Sequence, residues 1–235
     1  MTHRNILRVH YNSITYSEYN WTLLKNKRAI ATELLNLFVK EGLNPFVYGS
    51  VARGDVNESS DIDIIFIQEI PSFQIEYILN KNGFENYFRE IIMATPSDSI
   101  KLYIHLSEFE SITVPLSKLG RNVVEFYKFG GKITLNNLNS GIRVPGIDKR
   151  LVLIKPNLNG HEEISIIGNE SIAAKEVGVG IDIVNERKRV LLKREKFGKT
   201  GVFLKRKLHL NESTEEVLKT LAKKKSVIRK KLYKV

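Results

Sequence analysis

The sequence predicts an α+β protein of two domains, a larger one followed by a small basic one. Three observations predict it: a stripe of apolar residues at helical spacing over 21–41, two short runs that alternate as strands do over 61–67 and 100–106, and a charge balance that reverses near the C-terminus. A chain of 235 residues buries a substantial core and accommodates one large domain or two small ones. Residues 186–235 hold 18 Lys/Arg against 5 Asp/Glu, whereas residues 1–185 hold 19 against 21, so the net charge of +11 resides in the last 50 residues. Such asymmetry is the electrostatic footprint of a nucleic-acid partner; a solvated Lys-rich tail is the other reading.

The elements follow in order. In 21-WTLLKNKRAIATELLNLFVKE-41, Leu23, Leu24, Ile30, Ala31, Leu34, Leu35 and Phe38 recur at spacings of three and four, and Gly42 ends an amphipathic helix. Asn44-Pro45 makes a turn, Phe46 to Tyr48 a short strand, and a glycine-serine loop comes next. From Asp61 to Ile67 both faces beyond the aspartates are apolar, which predicts a central strand covered on two sides. Pro71 and Ser72 open a helix that runs to about Met93, with Ile75, Ile78, Leu79, Phe88 and Ile92 as apolar positions and a break at Asn82-Gly83. In 100-IKLYIHL-106, Ile100, Leu102, Ile104 and Leu106 form the buried face of a second strand, near the first, and Lys101, Tyr103 and His105 the other. Gly and Asn enrichment over 120–150 predicts a boundary. The expected domains are thus 1–120, a linker with some β-structure over 121–150, and 151–235.

No run approaches the roughly 20 apolar residues of a membrane span, and the N-terminal MTHRNILRVH has no apolar signal core. A soluble, cytoplasmic protein is expected. With no cysteine, disulfides and thiolate zinc sites are excluded, and any metal must be held by carboxylates, histidines or substrate phosphates.

The stretch 48-YGSVARGDVNESSDIDIIFI-67 carries the chemistry. Asp61 and Asp63, two apart on a strand, project side by side, and an acid pair at the mouth of an apolar strand is costly unless a cation occupies it. Oxygen ligands point to magnesium, with two ions possible. Upstream, Gly49 and Ser50 follow a strand, and Ala52 to Gly54 begin a helix whose amides face a bound phosphate, to which the Ser50 hydroxyl and Arg53 guanidinium add contacts. For Arg53 a plain surface salt bridge is the competing reading. Together these residues describe a site for a metal-bound nucleoside triphosphate.

Gly49-Ser50, ten residues, then Asp61-Ile62-Asp63 resembles the signature of the DNA polymerase beta-like nucleotidyltransferase superfamily. The stretch is similar to the small archaeal and bacterial minimal nucleotidyltransferases, and also to archaeal CCA-adding enzymes. The resemblance implies a fold with a mixed sheet flanked by helices, Asp61 and Asp63 as catalytic magnesium ligands, Gly49 and Ser50 on the nucleotide's phosphates, and transfer of a nucleoside monophosphate from an NTP to a hydroxyl. The superfamily usually has a third carboxylate on the neighbouring strand; here Tyr103 stands where it is expected. Three alternatives stay open: Glu108 or Glu110 swings in, two carboxylates suffice for one metal, or the site binds nucleotide without efficient catalysis. His105 is read either as an aid to proton transfer or as structural.

Residues 170–195 predict two helices around a glycine turn. Ala174, Gly178 and Val184 have helix-turn-helix spacing, Asp182 is the expected N-cap, and Asn185, Lys188, Arg189 and Lys193 are the expected nucleic-acid contacts, facing out when Val184, Val190 and Leu191 face in. Then 200-TGVFLKRKLHL-210 alternates like the wing of a winged helix, so the unit is similar to archaeal winged helix-turn-helix modules, although Arg187 occupies a usually apolar position. A generic helical hairpin is the alternative. Residues 223–234 are expected to form a basic helix or a disordered arm, and no aromatic ladder accompanies the charges, so single-strand base stacking is not indicated. The function predicted is a magnesium-dependent nucleotidyltransferase associated with DNA or RNA through its basic C-terminal half. The alternative is a nucleic-acid-binding regulator with a nucleotide-binding but weakly active or inactive transferase domain.

Overall fold

The computed structural model describes residues 6–85, 87–198 and 201–233. The first five residues of the N-terminal stretch, Thr200 at the start of the expected wing, and Lys234 in the basic tail lie outside the described residues.

Strand β1 (Tyr11–Thr15) leads to helix α1 (Glu18–Val39), which buries Leu24, Ala31, Leu34, Leu35 and Phe38 as its apolar stripe requires; Leu23 and Ile30 stay partly exposed. Next come β2 (Phe46–Tyr48), the one-turn helix α2 (Ser50–Arg53), β3 (Ile62–Ile65) and α3 (Ser72–Lys81). Gly83, at φ +84, accompanies the stop of α3, and the helix does not resume. Residues 88–93 instead form β4 (Phe88–Met93), followed by β5 (Lys101–His105) and β6 (Glu110–Pro115). The helix expected to reach Met93 is corrected here: pairing with β5, from Phe88↔His105 to Ile92↔Lys101, overrides local periodicity and buries Ile91 and Met93 on one face.

Residues 121–150 are no bare linker, since they hold α4 (Arg121–Phe129), β7 (Lys132–Ile133), α5 (Leu135–Asn139) and β8 (Gly146–Ile147). The remaining elements are β9 (Val152–Asn157), β10 (Gly160–Ser165), α6 (Glu170–Val177), α7 (Ile181–Phe197), β11 (Leu204–Leu208), α8 (Thr214–Lys224) and α9 (Ser226–Tyr233). Among the described residues no helix is long and apolar enough to cross a membrane.

Two compact units divide the chain: 1–32, 46–62 and 121–200 in one, 33–45, 63–120 and 201–235 in the other. One division falls after residue 120, and none falls after 150, since 121–200 lie in one unit. In the first unit an antiparallel sheet runs β1-β10-β9-β8, and β2 pairs with β7. Ile147, Leu151, Leu153 and Ile166 share one core with Phe129 of α4, Ala173, Ala174 and Val177 of α6, and Ile183 and Val184 of α7. The helix pair therefore buries its apolar face on a sheet built partly from the chain's start. Its turn is the expected glycine, Gly178 at φ 66 and ψ 42, but the α7 cap is Gly180; Asp182 stands inside the first turn.

In the second unit the strands run β11-β4-β5-β6-β3. Ile91, Leu102, Ile104, Ile112 and Val114 are fully buried, as are Phe38, Phe66, Ile75 and Leu79, and the Phe38 and Phe66 rings meet edge to face at 5.2 Å. The strand expected as a wing is β11. It pairs with β4, Leu204↔Met93 through Leu208↔Arg89, and so completes this sheet instead of accompanying α6 and α7.

Candidate functional site

The glycine-serine loop is built by β2 and its partner β7. Gly49 takes φ 83 and ψ −143, a conformation that only glycine adopts freely, and donates its N–H to Gly131 O at 2.9 Å. α2 starts at once, at Ser50 and not Ala52 as expected, so the Ala52 and Arg53 amides are engaged by Gly49 O at 3.1 Å rather than presented to a ligand. Val51 and Ala52 are fully buried, while Gly49 and Ser50 keep partial exposure.

The far end of α2 is tied down from several elements. Arg28 of α1 donates to the Val51 and Ala52 carbonyls, both at 3.1 Å, satisfying the acceptors a helix leaves at its C-terminus. Burial, then the nearby Arg143, pulls the Arg28 pKa down to about 10, still charged at neutral pH. Tyr16 donates to Gly54 O at 2.8 Å and meets His161 Nδ1 at the same distance. Lys27 reaches Ser60 O at 2.8 Å, just before the acid pair.

Arg53 is buried. It holds both Asp55 oxygens at 2.9 Å and the Gly130 carbonyl at 2.6 Å. Burial lowers its pKa, but Asp55 more than offsets this and the net direction is upward. Its nitrogens thus bind the loop to the segment before β7.

Asp61 is exposed at the threshold of β3 and Asp63 is the second residue of that strand, half-buried. Ser111 Oγ donates to Asp63 Oδ1 at 2.7 Å. The neighbour of β3 in the sheet is therefore β6, with β5 one place further out, so the residue facing Asp63 from the adjacent strand is Ser111 and not Tyr103. Tyr103 lies on the same face of the sheet; burial, followed by the charges of Asp63, Asp98 and Glu90, pushes its phenol up to about 12, so it stays protonated. Glu110 adjoins Ser111 and by alternation points to the opposite face from Asp63, and Glu108 sits exposed in the turn between β5 and β6. Among the described residues no group of three or more His, Cys, Asp or Glu side chains could hold a metal ion. The sequence signal that could have found Ser111 is the Ser-Ile-Thr-Val alternation over 111–114.

On α7, Asn185, Arg189 and Lys193 are exposed and four residues apart, so they line one stripe. Lys188 faces elsewhere, bound to Glu170 of α6 at 2.6 Å. Arg187, odd for its motif position, lays its guanidinium over the Phe126 ring at 4.4 Å, which explains how a cation is tolerated there.

Residues 28–143 match the family model described as a nucleotidyltransferase domain. That span includes Gly49, Ser50, Asp61, Asp63 and Ser111 and ends before α7. No curated protein and no solved structure matches the chain.

Proposed function

We propose that the chain moves a nucleoside monophosphate from a magnesium-bound nucleoside triphosphate to a hydroxyl acceptor on nucleic acid. The match to a nucleotidyltransferase domain supports NTP transfer in general, and the observation that carries the finer reading is the glycine-dependent Gly49-Ser50 turn leading, in the same span, to Asp61 and Asp63. In this reading Gly49 and Ser50 meet the triphosphate, Arg53 acts as scaffold for their turn, and Asp61 and Asp63 hold the metal. The donor set fits magnesium: an ionised carboxylate offers about four lone-pair sites, of which Ser111 takes one on Asp63, and magnesium accepts one or two carboxylates with water and substrate phosphates for the rest. Bound there, the ion lowers the pKa of the attacking hydroxyl and offsets charge on the leaving pyrophosphate. The stripe Asn185, Arg189 and Lys193 on α7 suits backbone phosphates.

A second reading is favoured by one observation. From the strand next to β3 a hydroxyl, Ser111, and not a carboxylate faces Asp63, which suits a nucleotide-binding regulator of low or no activity. Incubation with each labelled NTP, magnesium and RNA, DNA or protein acceptors separates the two. Label transfer that falls by about 100-fold or more in Asp61→Asn and Asp63→Asn, with unchanged melting, supports catalysis; nucleotide binding with no transfer to any acceptor supports the regulator.

A further inference from the structure

One face of the second unit's sheet gathers aromatic and basic residues that are scattered in sequence. Phe88, Tyr103 and His105 lie on it because Phe88 is paired with His105 and Tyr103 is two residues from His105. The His105 ring stands 5.6 Å from Phe88 and 6.5 Å from Tyr103, nearly parallel to the latter at 16°. From β11, Lys207 is paired with Glu90 and places Nζ 5.1 Å over the Phe88 ring, and Lys205 Nζ lies 3.0 Å from the Glu90 carboxylate. Phe88 is 39% exposed, and Lys205 and Lys207 beside it are exposed. Residues 201–235, which supply β11, hold 11 Lys/Arg against 3 Asp/Glu. Within the described residues His105 Nε2 is buried and makes no hydrogen bond; its nearest acid atom, on Glu90, is 3.4 Å away.

We propose that this face binds an unpaired stretch of nucleic acid, with bases stacked on Phe88 and His105 and phosphates on Lys205 and Lys207. The inference rests on the reading that the acceptor is a nucleic acid, and it assigns the contact to a surface other than α7. Aromatic rings on an open sheet accept any base through its π face, and lysines neutralise the backbone beside them. Asp63 lies on the same face, two strands in from β4's neighbour β5, so a strand seated there runs towards the proposed metal ligand.

The test is fluorescence anisotropy of the full chain with a labelled, unstructured RNA of about 12 nucleotides, the DNA of the same sequence, and duplex RNA. Phe88→Ala is expected to weaken single-stranded RNA binding about 10-fold and Phe88→Tyr to retain it. Lys205→Gln with Lys207→Gln lowers the salt slope by about 1.4. Calorimetry should give unchanged Mg-NTP binding in each variant. Affinity and slope that are insensitive to both the Phe88 and lysine changes, but lost in Arg189→Gln with Lys193→Gln, overturn the proposal, as does duplex RNA binding as tightly as the single strands. If Phe88→Ala weakens RNA binding while no acceptor is ever labelled, this surface stands and the transfer reading falls.

Discussion

Gly49 shows how one backbone conformation shapes the candidate site. A Cβ there meets no atom within 4 Å, so the demand for glycine comes from φ +83 and not from crowding. Gly49→Ala is expected to cost about 1–3 kcal/mol of stability, read as a lower urea midpoint, with weaker Mg-NTP binding as the turn relaxes. Behind the turn, Tyr16 links Gly54 to His161, and His161 lies among Asp55, Glu163 and Arg143. Burial holds the His161 imidazole below its ordinary 6.5, Asp55 and Glu163 opposing and Arg143 adding to the effect. The folded state therefore binds fewer protons than the unfolded one below that value; stability from neutral His161 is complete above about pH 6.5 and is lost as pH falls towards the lowered folded value. Glu163, held below 4.5 by Arg150 and His10 against the effect of burial, loses its share only in more acidic solution. Urea midpoints should fall between about pH 7 and 5, and His161→Gln should flatten that decline; an unchanged slope refutes the assignment.

Among the elements, β4 owes its form to partners far away in sequence. Arg89 is buried and donates to Glu76 at 2.6 Å and to the carbonyls of His209 and Glu212 at 3.0 and 2.9 Å, so one side chain ties α3 and the loop after β11 to the strand. Local periodicity carried none of this, and 84–93 reads as helix for that reason. Arg89→Leu removes the ion partner of Glu76 and the donor to the His209 and Glu212 carbonyls and should cost about 3 kcal/mol or more, measured by denaturant unfolding, with hydrogen exchange accelerating first in β4 and β11. The Ser213 cap of α8, which accepts from Glu216 N, is by contrast a local signal of the Ser-x-x-Glu kind.

For the whole molecule, the interleaving of the two units sets what truncation does. Residues 201–233 supply the edge strand of the second unit's sheet and the helices α8 and α9, so ending the chain at residue 200 should expose β4 as an unpaired edge. The expected outcome is aggregation and lost β4 amide protection, not a folded transferase lacking only its basic tail. A cut after residue 150 should be worse for the first unit, because it also removes β9 and β10, to which β1 and β8 pair. A soluble, cooperatively melting 1–150 fragment would contradict this division.

Sequence alone determined what short-range physics governs. The stripe of α1, the alternation of β3 and β5, the glycine turns at Gly49 and Gly178, and the spacing of Gly49-Ser50 from Asp61 and Asp63 all depend on residues within a few positions of one another. Tertiary structure alone decided which strand lies beside β3, that Ser111 faces Asp63, that Arg53 is engaged by Asp55 and Gly130, and that the expected wing pairs with β4. These are outcomes of pairing between segments up to 120 residues apart, as Arg89 and His209 are, and no local pattern encodes which edge a strand will find. The same pairing sets Phe88 beside His105 and beneath Lys207, a juxtaposition that has no counterpart along the chain.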